Sequence, residues 1–255
     1  MTYDTSFAST FSLPEIGQQQ MLRILQDFHQ VRKQREEAYV ELKRAHQLTL
    51  AKLALAAEYK DGDTGTHITR IGVLSAILAR AMGMPFDWCE LLAHAAPMHD
   101  IGKIGVPDHI LKKTGPLDPA EQAIMQTHPT IGAQILGGTS IPVLDMAAEI
   151  AHTHHEKWDG SGYPRGLAGD EIPLSGRLVA AVDFFDALTM DRCYRKALPD
   201  EEAILMLKVG AGQHFDPAVV DVMLAHIDRL REARSRINAG GAQAVSSPAP
   251  WWTTF

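Results

Sequence analysis

Apolar residues recur every three or four positions along most of the chain, which is the spacing that places side chains on one face of an α-helix. The first such segment follows Pro14 and runs for just over three heptads, with Arg35 as its one misfit. This seam predicts either an amphipathic helix packed on the domain's own core or a parallel coiled coil that joins two copies. Its apolar positions are Met21, Ile24, Phe28, Val31, Ala38, Leu42 and Ala45.

Beyond the seam the pattern becomes that of a compact helical domain. Asp87 is expected to cap a helix that runs into His99. Asp118 followed by Pro119 is a strong helix start, and that helix is expected to be interrupted at His128. Further helices are predicted over residues 48–59, 68–82, 142–155, 176–190, 200–209 and 217–234.

The predicted fold class is all-α, because no window alternates with a period of two for long enough to indicate a strand. Three parts are expected. Residues 1–46 form a lead-in and an extended helix, residues 47–235 form the helical domain, and residues 236–255 form a disordered tail. The tail prediction depends on its Gly, Ser and Pro content.

Composition argues against a nucleic-acid-binding, a disulfide-stabilised and a membrane-spanning protein. A net charge of −7 over 255 residues argues against a general nucleic-acid binder, so no DNA or RNA partner is expected. Two cysteines give no framework of bridges, which favours a reducing compartment. With neither a secretion signal nor an apolar run of membrane-spanning length in the sequence, a cytoplasmic location is expected.

Histidines and aspartates at helix ends, or among apolar helical residues, are the candidate chemistry. Buried polar groups are costly unless satisfied, and imidazole and carboxylate are both good ligands for a divalent metal. Singly, each histidine could be a hydrogen-bonded core residue and each aspartate could be ion-paired. Five histidines and two aspartates placed in this way are harder to explain as separate structural residues; they are His67, His99, Asp100, His128, His154, His155 and Asp183.

Two longer motifs resemble the signatures of the HD-GYP domain family. The first is His-Asp-Ile-Gly-Lys at residues 99–103, and the second is His-His-Glu-Lys-Trp-Asp-Gly-Ser-Gly-Tyr-Pro at residues 154–164. The second motif is long enough to make a chance match negligible. The resemblance covers roughly residues 47–234, including the segments 64–70, 128–132, 183–189 and 192–195.

The resemblance implies a helical HD bundle that hydrolyses cyclic di-GMP to linear pGpG or GMP with the help of iron or manganese ions. One metal would be held by His67, His99, Asp100 and Asp183, with Asp100 bridging to a second. The second metal would be held by His128, His154 and His155. Members with a third metal carry glutamate where this chain has Asp63, so two ions are expected, with a third as the alternative.

Substrate contacts follow from the mechanism that the resemblance implies. Lys103 would stabilise charge on a phosphoryl oxygen, although it could instead be a surface lysine. Arg192 and Arg195 suit the second phosphate, since guanidinium forks match phosphate oxygens. A loop that lets backbone approach the dinucleotide, and that would dock cyclases of the GGDEF type, contains Gly162, Tyr163 and Pro164.

Two other functions fit the same motifs. Some relatives cleave mixed cyclic GMP-AMP, and the sequence does not separate that substrate from cyclic di-GMP. A catalytically silent module that binds a dinucleotide or a cyclase is less favoured, because only Asp63 departs from the expected ligand positions. No sensor domain fits in the first 45 residues, so regulatory input is expected through the coiled coil, which could form a homodimer, or through a partner.

Overall fold

The computed structural model describes residues 15–61, 65–191 and 196–240, and within these ranges the chain folds without a β-strand. The all-α prediction is confirmed. Short 3-10 turns span residues 96–98, 101–105 and 169–171. Within the described ranges no helix combines the length and apolar composition needed to cross a bilayer. The α-helices are α1 (Glu15–Asp61), α2 (Thr66–Ala81), α3 (Phe86–Ala95), α4 (Asp108–Leu111), α5 (Pro119–Met125), α6 (His128–Leu136), α7 (Pro142–Thr153), α8 (Leu174–Thr189), α9 (Asp200–Gly210), α10 (Pro217–Ala225) and α11 (Ile227–Gly240).

Helix α1 is continuous over two segments that the apolar pattern predicts as separate helices, one ending at residue 46 and the other spanning residues 48–59. The sequence contains neither glycine nor proline from Gln18 to Asp61, so nothing in it terminates a helix near residue 47. The chain nevertheless divides into two compact units, the first ending at Leu48 and the second beginning at Thr49. In the first unit the apolar side chains of the heptad seam are exposed, as Phe28 illustrates at 64%.

The core of the second unit is built around α2. Its predicted apolar face, represented by Ile71, Leu74 and Ile77, is at most 1% exposed and is thus confirmed. Helix α2 packs against α3, α8 and α11, while α7 packs against α3, α6 and α8. This arrangement brings the start of α2, the end of α3, the start of α6 and the end of α7 to the same region.

Helix α3 ends before His99, contrary to the prediction. It stops at Ala95, and a 3-10 turn follows from Ala96, because the ring and missing N–H of Pro97 are incompatible with a continuing α-helix. Asp87 lies inside the first turn, and Pro85 occupies the N-cap position. By contrast, Asp118 caps α5 as predicted, since its carboxylate accepts the backbone N–H groups two and three residues later.

The C-terminal helical region is longer and more divided than predicted. A turn at His226 separates α10 from α11, where a single helix was expected. Helix α11 continues to Gly240 with Ile237 fully buried, so the predicted domain boundary after residue 235 falls inside it. The rest of the predicted tail, residues 241–255, lies outside the described residues.

Candidate metal centre

Helix ends and turns deliver the predicted ligands to one place. His67 is in the first turn of α2, His128 begins α6, and Asp183 projects from α8. Each group below offers ligand atoms that lie within 4.8 Å of one another. The first group is His67, His99 and Asp183, and the second is Asp100, His128, His154 and His155.

Asp100 belongs to the second group and also faces the first. Its Oδ1 atom is 3.3 Å from Nε2 of His128 and 3.6 Å from Nε2 of His154. Its Oδ2 atom is 3.3 Å from Nε2 of His99 and 2.8 Å from Nζ of Lys103. Burial alone would raise the pKa of Asp100, but Lys103 and His99 outweigh it and hold that pKa well below its usual range. The carboxylate is therefore ionised, with one oxygen directed to each group.

Backbone carbonyls orient three of the imidazoles. Nδ1 of His99 lies 3.1 Å from the carbonyl three residues earlier, and the corresponding distance for His128 is 2.8 Å. Nδ1 of His154 makes the same kind of contact at 3.1 Å. A carbonyl can only accept, so Nδ1 carries a proton in each of the three rings, and Nε2 has a lone pair whenever the ring is neutral.

These lone pairs are the observation that fits a metal. Nε2 of His99, His128 and His154 and Oδ1 of Asp100 are buried and have no hydrogen-bond partner among the described residues. Buried polar atoms are nearly always satisfied, so a cluster of buried acceptors that face one another fits the binding of a cation. Imidazole nitrogen and carboxylate oxygen form an N/O donor set that suits divalent transition metals.

The two groups differ in charge. Burial lowers the pKa of His154 and, far more, of His155, so both are neutral and able to bind metal. For His99 burial acts in the same direction, but Asp100 and Asp183 outweigh it and raise its pKa to about 9. The carboxylates therefore favour positive charge beside His99, which a divalent cation would provide.

Asp186 completes the site, and no role for it follows from the motifs. Its Oδ2 atom lies 2.7 Å from Nδ1 of His67, and Arg70 donates to both of its oxygens, at 2.6 and 2.9 Å. Burial would raise the pKa of Asp186, but the hydrogen bonds from His67 and Arg70 lower it to about 2. This contact turns Nε2 of His67 towards Asp183, 3.4 Å away. The sequence does carry one signal for this network. His67 and Arg70 are three residues apart, as are Asp183 and Asp186, and residues at this spacing share a helix face.

Gly102 allows the close packing that brings Asp100 to His128. A Cβ atom at Gly102 would lie 1.9 Å from the carbonyl oxygen of His128 and 2.5 Å from the amide nitrogen of Gly132. Only glycine lets the 3-10 turn after Asp100 approach the start of α6 this closely.

The second motif folds into a loop that is held from within. The buried carboxylate of Glu156 accepts the backbone N–H groups of Arg165, at 2.7 Å, and Leu167, at 3.0 Å. A Cβ atom at Gly162 would lie 2.3 Å from the amide nitrogen of Lys157. Gly162 thus lets the loop pack closely against the backbone of residues 156–157, whereas the sequence predicts a close approach to the dinucleotide.

Tyr163 lies beside the second group. Its ring stacks on that of His155, with centroids 4.8 Å apart, and a cis peptide bond joins it to Pro164. Burial raises the pKa of Tyr163 to about 12, so its hydroxyl keeps a proton that it can donate. Three other predicted site residues, Asp63, Arg192 and Arg195, lie outside the described residues.

Comparison with known proteins agrees with this architecture. The family model described as HD domain matches residues 48–219. A cyclic di-GMP phosphodiesterase of Thermotoga maritima is 44% identical over 202 residues, which are 77% of this chain and 55% of that protein. The 3′3′-cGAMP-specific phosphodiesterase 2 of Vibrio cholerae is 40% identical over 198 residues, covering 78% of this chain and 38% of that protein.

A solved structure resembles the fold. The crystal structure of a cyclic GMP-AMP-specific phosphodiesterase from Vibrio cholerae superimposes with a TM-score of 0.55 at 18% identity, covering 75% of this chain and 52% of that one. The chain spans about half the length, or less, of the curated relatives described above. Its matched region contains both motifs and all seven converging side chains. The chain therefore belongs to the HD domain family, and it carries the two motifs that resemble the HD-GYP signatures.

Proposed function

We propose that the chain is a metal-dependent phosphodiesterase that hydrolyses cyclic di-GMP. The observation that carries this proposal is the position of Asp100, whose two oxygens face two separate groups of histidine and aspartate ligands. A carboxylate shared in this way is suited to a pair of neighbouring metal ions, the arrangement used by many enzymes that hydrolyse phosphate esters.

Each group would hold one ion, with Asp100 shared. The N/O ligand set accepts iron or manganese, and we propose two ions per chain. When bound, they would supply an activated water molecule and balance the charge of the phosphoryl oxygens. The proposed ligands are His67, His99 and Asp183 for one ion, and His128, His154 and His155 for the other.

The chain's own hydrogen-bond donors would bind the phosphates and the rest of the dinucleotide. Lys103 is largely buried and lies 2.8 Å from Asp100, so its ammonium is held beside the shared carboxylate, where it would donate to a phosphoryl oxygen. The protonated hydroxyl of Tyr163 would donate to the dinucleotide. For the second phosphate we propose Arg192 and Arg195, on their sequence position alone.

The direct test is product analysis with protein purified without oxygen. Iron and manganese are measured per chain, and cyclic di-GMP and mixed cyclic GMP-AMP are each incubated with the protein. We expect about two ions per chain, the number for a binuclear site, and conversion of cyclic di-GMP to pGpG or GMP. Faster cleavage of the mixed dinucleotide would favour the activity named for the Vibrio cholerae relative.

Asp100→Ala is the matched control for this test. It removes the ligand common to both ions, so metal content and turnover should both be lost while helical content is retained. An Asp100→Ala protein that keeps its metal and its activity would contradict the two-metal proposal. A wild-type protein that holds metal but cleaves neither dinucleotide would instead indicate a silent binding module.

We also propose that the seam of α1 pairs with a second copy in parallel. In that register Asp27 would face the partner's Arg32, and Glu41 would face the partner's His46, which are favourable pairings at the flanks of a coiled coil. Phe28→Glu would bury charge in such an interface, so light scattering should give half the wild-type mass. For the loop that contains Gly162, Tyr163 and Pro164, a GGDEF-domain protein is the proposed partner, from the resemblance alone.

A further inference from the structure

Lys60, in the last turn of α1, reaches across to the turn that follows Asp100. Its Nζ atom lies 2.7 Å from the carbonyl oxygens of both Ile104 and Val106, and 3.3 Å from that of Lys103. It also lies 3.6 Å from a carboxylate oxygen of Asp108. The ammonium is therefore surrounded by acceptors that belong to the segment carrying Lys103.

Two of these acceptors, the carbonyls of Lys103 and Ile104, lie at the end of the 3-10 turn over residues 101–105, and Val106 directly follows that turn. The last carbonyls of a helical turn lack partners within it and form its negative end, so a cation there is favourable. The contact with Asp108 is weaker evidence, because that side chain is 63% exposed and such surface pairs contribute little. The carbonyl contacts are the ones that can fix the backbone.

Two anchors hold this turn in place. The first half of the turn is fixed by the close packing of Gly102 against α6. The carbonyls of its second half bind Lys60. Lys60 is itself held, because Ala57, three residues earlier on α1, is only 5% exposed. Lys103 lies between the two anchors, so the direction of its side chain depends on both.

We propose that Lys60 is a positioning residue for the reaction, and that it acts by fixing the backbone from which Lys103 reaches towards the metal centre. This proposal rests on the proposed function, because it needs a reaction in which the Lys103 ammonium takes part. It does not require Lys60 to touch substrate or metal.

The test compares two substitutions with a neighbouring control. Lys60→Met keeps most of the stem and deletes the donors, whereas Lys60→Arg keeps donors that can reach the carbonyls. Lys112→Met is the control, since it removes the other lysine that pairs with Asp108, at 3.2 Å, and touches none of the three carbonyls. If Lys60→Met does not fold, Lys60→Gln takes its place.

At unchanged metal content, kcat of Lys60→Met should fall about tenfold to a hundredfold, the scale for a misplaced catalytic group. KM should change less than kcat, and Lys60→Arg should recover most of the rate. Lys112→Met should equal wild type. An unchanged kcat in Lys60→Met, or an equal loss in Lys112→Met, would overturn the positioning role.

Hydrogen exchange gives a readout that does not depend on turnover. Backbone amides of residues 101–106 should exchange faster in Lys60→Met than in wild type, while those of α2 and α7 stay unchanged. Unchanged exchange at residues 101–106 overturns the proposal whatever the rates are. If wild type cleaves no cyclic dinucleotide, the proposed function fails and the role in a reaction fails with it, while exchange still decides whether Lys60 tethers the turn.

Discussion

His67 and Asp186 are 119 positions apart in the sequence and 2.7 Å apart in the structure, where the carboxylate holds Nδ1 of the imidazole. A carboxylate behind a ligating histidine fixes its tautomer and orientation and makes it a better ligand. Arg70 binds the same carboxylate with two donors, so the three side chains form one buried network.

Asp186→Asn should therefore weaken metal retention while leaving every proposed ligand in place. The expected loss of metal affinity is about 10- to 100-fold, the range for partners that orient ligands. Arg70 would lose its buried counter-charge, which should lower the free energy of unfolding by about 3–5 kcal/mol. Chelator titration with metal analysis measures the first effect, and denaturant unfolding measures the second.

Asp170→Asn provides the matched control, since Asp170 pairs with Arg177 but is 89% exposed. It should change neither metal retention nor stability. Asp186→Asn protein that holds metal as tightly as wild type would show that the orientation of His67 does not depend on this contact.

Lys103→Met should separate chemistry from metal binding. The substitution keeps much of the stem and removes the charge that lies 2.8 Å from Asp100. Metal content should stay at the wild-type value while kcat falls about 10²-fold or more, as when one transition-state donor is removed. Steady-state kinetics on metal-quantified protein measures this, and a wild-type kcat would assign Lys103 a structural role.

Gly102→Ala should destabilise the metal centre through packing alone. The new Cβ atom would lie 1.9 Å from the carbonyl oxygen of His128, so the turn and α6 must separate. Overpacking of this kind costs about 1–3 kcal/mol, and the separation should also reduce activity. Gly115→Ala is the control, because a Cβ atom there meets nothing within 4 Å. Equal melting temperatures for the two variants would contradict the packing account.

Local signals in the sequence predicted the features that local chemistry determines. The cap at Asp118 and the buried face around Leu74 depend on neighbouring residues, and both are found in the structure. The end of α3 differs from the prediction because Pro97 breaks the helix, and the apolar pattern that continues past it carries no sign of that break.

Contacts between distant segments could not be read from periodicity. Neither Asp186 behind His67 nor Lys60 on the turn after Asp100 leaves a trace in the spacing of apolar residues. The candidate ligands lie in segments that resemble a known family, and the structure brings seven of them together. Their supporting residues depend on how helices pack, which the motifs do not encode.

Asp200 should make the stability of the domain depend on pH. This residue begins α9 and accepts hydrogen bonds from two residues of α11, Arg231 at 2.8 Å and Arg234 at 2.7 Å. Burial would raise the pKa of Asp200, but these two arginines outweigh it and hold that pKa below its ordinary value of 3.8. A carboxyl whose pKa is lowered on folding stabilises the fold above its unfolded-state pKa, and the stabilisation is lost as pH falls through the folded-state value.

Asp200→Asn should therefore lower the free energy of unfolding at pH 7, by about 1 kcal/mol for charged hydrogen bonds that are partly screened by solvent. The difference from wild type should shrink as pH falls below about 4, where the unfolded carboxyl takes up its proton. Denaturant unfolding of both proteins across this range measures the difference. Asp228→Asn is the control, since Asp228 meets Arg231 only at 3.5 Å and is 94% exposed. A difference between wild type and Asp200→Asn that is constant with pH would mean that the amide costs stability through shape or packing, and that the charge of Asp200 contributes nothing.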